Sequence, residues 1–287
     1  MRISKRTINN LELFSRFDRV NKPEVSVLLS VFNGEKFIRQ SILSILNQTF
    51  RNFELILIND GSTDNTLSIC KELLKIDKRI ILINKTNSGL TESLIIGTSF
   101  ARSEYIARQD ADDRSMENRL EIQLQFIKKF NADLICTRAY RSGKIVPHNF
   151  FLKFFSFESL ILGNIFIHGT FFFKKSILKK FSYKRTYTYA QDFRLIVDLI
   201  KSNSKVLYLC DALYYLGENE ASLSILQSKK QFYFANKVIA SLRKKSEFLY
   251  LIHMIVGQSR IRLYLKILYC FLSKIIKGNS NEVIFIK

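Results

Sequence analysis

Between residues 23 and 113, short apolar runs alternate with segments of helical period. Val25–Val31 (VSVLLSV) follows Pro23 and reads as a buried strand, as do residues 53–58 (FELILI) and 79–83 (RIILI). Residues 105–107 begin a fourth strand, which ends in the acidic cluster Asp110-Ala111-Asp112-Asp113. Residues 35–46 place Phe37, Ile38, Ile42, Ile45 and Leu46 at helical spacing. A second helix runs to about residue 75 with Thr63 or Asp64 as its cap, and a third covers 90–101 with Ser88 or Thr91 available to cap it. The turns fall at Asn33-Gly34 and Asn59-Asp60-Gly61-Ser62. This alternation predicts an α/β fold, a mostly parallel, doubly wound sheet flanked by helices. Such sheets bind ligands beyond the carboxyl ends of their strands, which is where Asn33, Asp60, Asn87 and Asp110 fall.

The second half is less regular. Residues 118–130 read as a helix, 133–137 as a strand, and 192–201 as a helix with Asp192 near its start. Residues 165–173 form a phenylalanine-rich run broken by His168-Gly169-Thr170, and 205–209 and 212–216 read as two short strands. From Ile225 onward the pattern is mainly helical and basic. Residues 1–22 are polar, mixed in charge and without the apolar core of a secretory leader. No apolar run reaches the ~18 residues of a membrane-spanning helix.

Charge adds a direction. The net charge is +20, which favours anionic partners: nucleic acid, acidic lipid or phosphorylated substrates. Residues 225–287 hold twelve Lys or Arg against two acidic residues, half of that excess. Over residues 260–277 a helical wheel gathers Arg262, Lys266, Lys274 and Lys277 on one side and Ile261, Leu265, Leu268, Phe271 and Leu272 on the other. A basic amphipathic helix of this kind lies on an anionic membrane surface or packs its apolar side on the protein's own domain. The four cysteines are dispersed, with no Cys-x-x-Cys pair, and read as reduced core residues in a cytosolic compartment. The glycines form neither a dinucleotide-binding nor a P-loop pattern. A basic nucleic-acid-binding protein is one reading of this charge, although no recognised nucleic-acid-binding motif occurs and Phe150, Phe151, Phe154, Phe155 and Phe157 read as core or channel surface.

Three features carry candidate chemistry. Asp110, Asp112 and Asp113 crowd negative charge after a strand, which suits either a divalent cation or a solvated, helix-capping turn. Asp192 is either a helix N-cap or an anion held for chemistry. His168 is either a structural residue or a site residue.

The segments VSVLLSVFNGEKFIRQSILSILNQTFRNFELILINDGSTDNT, NSGLTESLIIGTSFARSEYIARQDADD and RLEIQ resemble family 2 glycosyltransferases, almost continuously from Pro23 to about Phe130 and more loosely to about Leu216. The resemblance implies a GT-A fold and inverting transfer from a nucleotide-sugar, with a UDP-sugar as the default donor. It divides the chain into an N-terminal extension (1–22), a catalytic domain (23–224, nucleotide-binding to 130 and acceptor-binding beyond) and a basic tail (225–287). Ser30 and Asn33 would line the nucleotide and Asp60 would contact the base. Asp110-Ala111-Asp112 matches the DxD motif, with Asp112 and then Asp110 as ligands of manganese or magnesium, while Asp113 supports the loop. Asp192 matches the second acid of the Glu-Asp motif, the catalytic base. The pattern departs from the family at Asn59, Gln191 and Gly169, and in lacking a proline before Arg119. An inactive nucleotide-sugar-binding member is a further alternative. The acceptor implied is a glycan, lipid-linked in many members, as in lipopolysaccharide or capsule synthesis, with the protein peripheral on the inner face of the plasma membrane and no nucleic acid as partner.

Overall fold

The computed structural model describes residues 4–8, 11–15, 22–148, 152, 160, 164–217, 228–241 and 283–286. The first half forms β1 (Ser4–Ile8), β2 (Leu11–Ser15), β3 (Val25–Val31), α1 (Ile38–Leu46), β4 (Phe53–Asp60), α2 (Thr66–Ile76), β5 (Ile80–Lys85), α3 (Leu90–Phe100) and β6 (Tyr105–Asp110). The second half adds β7 (Arg114–Ser115), α4 (Arg119–Lys129), β8 (Leu134–Arg141), β9 (Lys144–Val146), a 3-10 turn at His168–Thr170, β10 (Phe172–Lys174) and α5 (Lys175–Lys180). It continues through α6 (Gln191–Lys201), β11 (Val206–Tyr215), α7 (Ser228–Ala240) and β12 (Val283–Ile286).

All the strands among the described residues join one sheet, in the order β1-β2-β5-β4-β3-β6-β10-β8-β11-β12, with β7 on β11 and β9 on β8. Its centre, β5-β4-β3-β6, is parallel. Each central strand is buried on both faces, so its apolar residues run on instead of alternating with polar ones. Period 2 divides them between two cores. Val27, Leu29, Leu55 and Leu57 meet α1, α2 and α4, while Leu28, Ile56 and Ile58 face α3 and α6. The α/β fold with its mostly parallel central sheet agrees with the sequence reading.

Several boundaries differ for local reasons. α1 starts at Ile38, not at 35, because the Gly34 and Glu35 amides donate to Thr66 Oγ1 (2.8 Å) and Asp64 Oδ2 (3.1 Å) of the next loop. Neither Ser88 nor Thr91 caps α3. Its N-cap is Gly89 at φ +86°, a conformation that costs glycine little. The two short strands expected near 205–216 are one strand, β11, whose register against β8 shifts between Leu209 and Ala212 and again before Tyr215. Residues 1–22 contain a hairpin whose β2 pairs antiparallel with β5. The end of the basic tail is β12, a strand rather than a helix. The expected amphipathic helix at 260–277 and the phenylalanines at 150, 151, 154, 155 and 157 lie outside the described residues. Among the described residues, no helix is long and apolar enough to cross a membrane.

Gly97 is where α3 comes closest to the sheet: a Cβ there would lie 2.9 Å from Ile58 Cδ1 and 3.4 Å from Leu28 Cδ2. Gly97→Leu should therefore overpack this seam and lower stability by about 1–3 kcal/mol despite better helix propensity. Urea unfolding checks this; an unchanged midpoint would show that the seam can open without cost.

Candidate active site

The strand order reverses at β3, with β4 and β5 to one side and β6 to the other, which puts the switch point at the C-terminal ends of β3 and β6, where in register Ser30 stands opposite Asp110. The loops beyond β3 and β4 are tied together. Asn33, at φ +49°, accepts from the Thr63 amide at 2.8 Å, and its own amide donates to Ser62 Oγ at 3.0 Å. Glu35 accepts from the Asn65 amide at 3.0 Å. Phe32, beside Asn33, leaves 51% of its surface in solvent at the rim, where a flat apolar partner could rest.

Asp60 is buried at the end of β4. Its carboxylate accepts from the Ser88 and Gly89 amides, each at 2.9 Å, and pairs with Lys85. Gly61 approaches Asn87 so closely that a Cβ would lie 2.5 Å from the Asn87 nitrogen. Asp60 thus fixes the loop after β5 and supplies, at the start of α3, the acceptor that Ser88 or Thr91 was expected to provide.

The acidic turn is built around two buried arginines. Arg108 donates to Leu28 O (2.6 Å), Gln109 O (3.1 Å) and Asp110 Oδ1 (2.6 Å). Arg119 donates to Gly169 O and Arg108 O, both at 2.8 Å; burial pulls its pKa down to about 10, so it stays charged at neutral pH. The Tyr214 hydroxyl accepts from the Asp110 amide at 3.0 Å and donates to the Asp113 carboxyl. Asp113 is buried and accepts from the Gly217 amide at 2.7 Å, tying the turn to the chain beyond β11. Burial first, and then the Asp110 charge, push the Asp113 carboxyl up to about 8. Ala111 and Asp112 are half-buried at the tip of the turn.

Three carboxyls in four residues, one of them raised to about 8 by burial and then by its neighbours, form a hard-oxygen site in which Arg108 answers only Asp110, and this fits a divalent cation. Among the described residues no group of three His, Cys, Asp or Glu could enclose a metal. The donor set therefore suits an ion held by one or two carboxylates and completed by substrate phosphates.

Asp192 lies in the first turn of α6 and is not its N-cap, which is Ala190 in the left-handed region at φ +56°. Asn164 donates to Asp192 Oδ2 at 3.1 Å. Burial lifts the Asp192 carboxyl to about 6; the Phe193 and Asp192 amides oppose this, while the Asp110 charge adds to it and so places the two acids in one electrostatic environment. His168 shares a 3.0 Å hydrogen bond with the Tyr183 hydroxyl, and burial next to Arg108 holds its pKa well below the usual value, so it is neutral. Gly169 allows close packing here: a Cβ would fall 2.3 Å from Tyr214 Oη and 2.9 Å from Asp110 Oδ2. The structure thus gathers Ser30, Asp110, Ala111, Asp112, His168 and Asp192 around β6, with Asn33 and Asp60 on the neighbouring loops. The sequence reading did not single out Phe32, Arg108, Asn164, Tyr183 or Tyr214, whose partners are distant in the chain; only Arg108, an arginine inside a buried strand, carried a signal.

The profile of Glycosyl transferase family 2 matches residues 26–213. An uncharacterized glycosyltransferase of Haemophilus influenzae is 34% identical over 194 residues, covering 61% of this chain and 59% of that protein. The chain therefore spans less than two thirds of that relative. S. aureus TarS 1-349 in complex with UDP-GlcNAc superposes with a TM-score of 0.63 at 19% identity, over 86% of this chain and 79% of that one. The mannosyltransferase PcManGT from Pyrobaculum calidifontis, in complex with GDP-Man and Mn2+, gives 0.61 at 14% identity, over 91% and 88%. At these identities the likeness to the solved structures is one of fold.

The Asp192 carboxyl has a consequence for stability. Its pKa of about 6 in the fold, against an ordinary 3.8, means that the folded state binds the proton more tightly than the unfolded chain. Its favourable contribution is complete below about pH 4 and is lost as pH rises through about 6. Asp192→Asn, neutral at every pH, should melt at or above the parent's temperature at pH 7.5; a melting point several degrees lower would show that the charge is structural.

Proposed function

The chain belongs to glycosyl transferase family 2, and from that membership we propose that it moves a sugar from a nucleotide-sugar donor to a hydroxyl of a glycan acceptor, with inversion at the anomeric carbon. The observation that carries this reading is the pairing of two acids at one strand switch point: a crowded carboxylate turn suited to a cation and a diphosphate, and Asp192 with a carboxyl near 6, suited to accept a proton.

In this reading the base rests between Phe32 and the loop that Asp60 holds, with Ser30 and Asn33 lining the nucleoside. Asp112 and Asp110 would hold manganese or magnesium, and Arg108 aims Asp110 by donating to its Oδ1. When bound, the ion would stabilise the negative charge developing on the departing nucleoside diphosphate. Asp192 takes the proton from the acceptor hydroxyl as its oxygen attacks the anomeric carbon from the face opposite the leaving group. Asn164 orients that carboxylate. His168, neutral and tied to Tyr183, contributes a neutral hydrogen-bonding group near the acceptor or diphosphate. UDP is the favoured nucleotide, supported by the UDP-GlcNAc that TarS holds; the GDP-Man and Mn2+ of PcManGT keep GDP open and support the metal.

The same reading divides the chain into the 1–22 extension, the 23–224 domain with its nucleotide-binding and acceptor halves, and the basic tail. The +10 of residues 225–287 supports contact with the anionic inner face of a plasma membrane, where a lipid-linked glycan would be presented for surface-polysaccharide synthesis.

Thermal unfolding with UDP, GDP and dTDP, each with and without manganese, tests the donor site, because a ligand of the folded state raises the melting temperature. One nucleotide should give a shift that requires the metal, and Asp112→Ala should lose the metal-dependent part while melting normally alone. Absence of any shift in the parent protein would refute the donor site. Because Asp192 must be ionised to act, kcat/KM should be half-maximal at about pH 6 and fall tenfold per pH unit below it. A profile flat down to pH 5 would remove Asp192 from the role of base.

A further inference from the structure

The segment between α5 and α6 leads outward from this site to a surface that the proposed reaction does not use. Tyr183, at its inner end, meets His168. Its middle is fastened to α3: Arg185 Nε donates to Glu92 Oε2 at 2.7 Å, and Thr91 Oγ1 donates to the Tyr187 carbonyl at 3.1 Å. Tyr189 stands three residues before Asp192. Against the outer side of this segment lies α7, with the Phe234 ring 6.1 Å from Tyr187, 5.8 Å from Tyr189 and 5.5 Å from Tyr233 between centroids.

α7 is anchored by Val238 and Ile239, both buried. Lys230, Tyr233, Phe234 and Lys237 share another face, since positions 3, 4 and 7 apart align along a helix. Tyr233 leaves 66% of its surface in solvent. Lys230 Nζ lies 5.8 Å from the Tyr189 ring centre, and Lys237 Nζ 5.3 Å from that of Tyr187. The nearby acids already have cations: Arg185 holds Glu92, and Arg194 and Lys184 hold Asp198. Among the described residues no carboxylate pairs with Lys229, Lys230 or Lys237.

An aromatic face stacks against the C–H face of a pyranose, and an unpaired lysine beside it takes an anionic substituent. We propose that α7 and Tyr189 form an acceptor subsite for a saccharide carrying anionic groups, either phosphodiester or carboxylate. The proposal rests on the glycosyltransferase reading. A chain whose reacting hydroxyl sits at Asp192 would pass along Tyr189 onto the Tyr233 ring, where its negative groups meet Lys230 and Lys237. This continuity with Asp192 through three residues favours a saccharide over a lipid surface as the occupant.

Calorimetric titration of the full chain tests the subsite with four probes: a phosphodiester-linked oligosaccharide, a uronic-acid oligosaccharide, a neutral oligosaccharide of equal length and phosphatidylglycerol vesicles. At least one anionic saccharide should bind more tightly than the neutral one. Lys230→Glu combined with Lys237→Glu should weaken that binding by about tenfold or more, as expected for reversing two exposed charges. Tyr233→Ala should weaken both anionic and neutral saccharides. All three residues are exposed, so the melting temperature and the nucleotide-dependent shift should not change. Equal affinity for neutral and anionic saccharides, full affinity in the variants, or a loss confined to vesicles would overturn the subsite. Charge-dependent saccharide binding in a protein that shows no nucleotide-dependent shift would uphold the subsite and overturn the transfer reading instead.

Discussion

A guanidinium that cannot reach water must be answered by oxygen, and Arg108 imposes that demand on the centre of the molecule. It lies within β6 and donates to the Leu28 carbonyl of β3 and to Asp110. Its own carbonyl accepts from Arg119, which also holds Gly169. Arg108 Nε and Arg119 Nε already find no partner among the described residues, so removing any one of these acceptors strips a buried charge further, which is more costly than the hydrogen bond is worth when intact. The sheet, the acidic turn, α4 and the His168–Thr170 turn are therefore set by one connected demand. Burial, and after it the same charge, hold the His168 pKa well below the usual value.

Much of this was legible in the sequence where the signal is local. The strands β3 and β4 were found by their dense apolar runs, because burial on both faces leaves no polar alternation to confuse the pattern. The acidic turn was visible because its residues are contiguous. What was not legible depends on distant partners. The helix start at Ile38 was missed because residues 34 and 35 are claimed by a loop thirty residues on, and no local cap marks the change. The β1–β2 hairpin was missed because its short strands form only against each other and β5. Asn164 and Tyr183 become site residues only once the 164–190 chain is folded over β6. Asp60 was placed at the ligand end of the sheet by its position after a strand, and at the base only by the family resemblance, yet its hold on Ser88 and Gly89 could not be read from either.

The large positive charge also takes on a more specific meaning in the fold. Several cations are consumed internally: Arg102 by Glu54, Lys85 by Asp60, Arg108 by Asp110. Others answer surface acids, such as Arg39 with Glu72 and Arg185 with Glu92. The excess is thus not spread evenly. It gathers where acids are scarce, on α7 and in the sequence that follows it.

The antiparallel pairing of β2 with β5 places Leu13 opposite Ile83, seventy positions later. A contact so distant along the chain closes a long loop, and its entropic cost must be met before the contact itself contributes anything. β2 has an edge to join only where β5 stands in the sheet, and β12 only where β11 does. The outer strands thus depend on inner ones for their backbone partners, whereas β3 and β4 take theirs from strands on both sides.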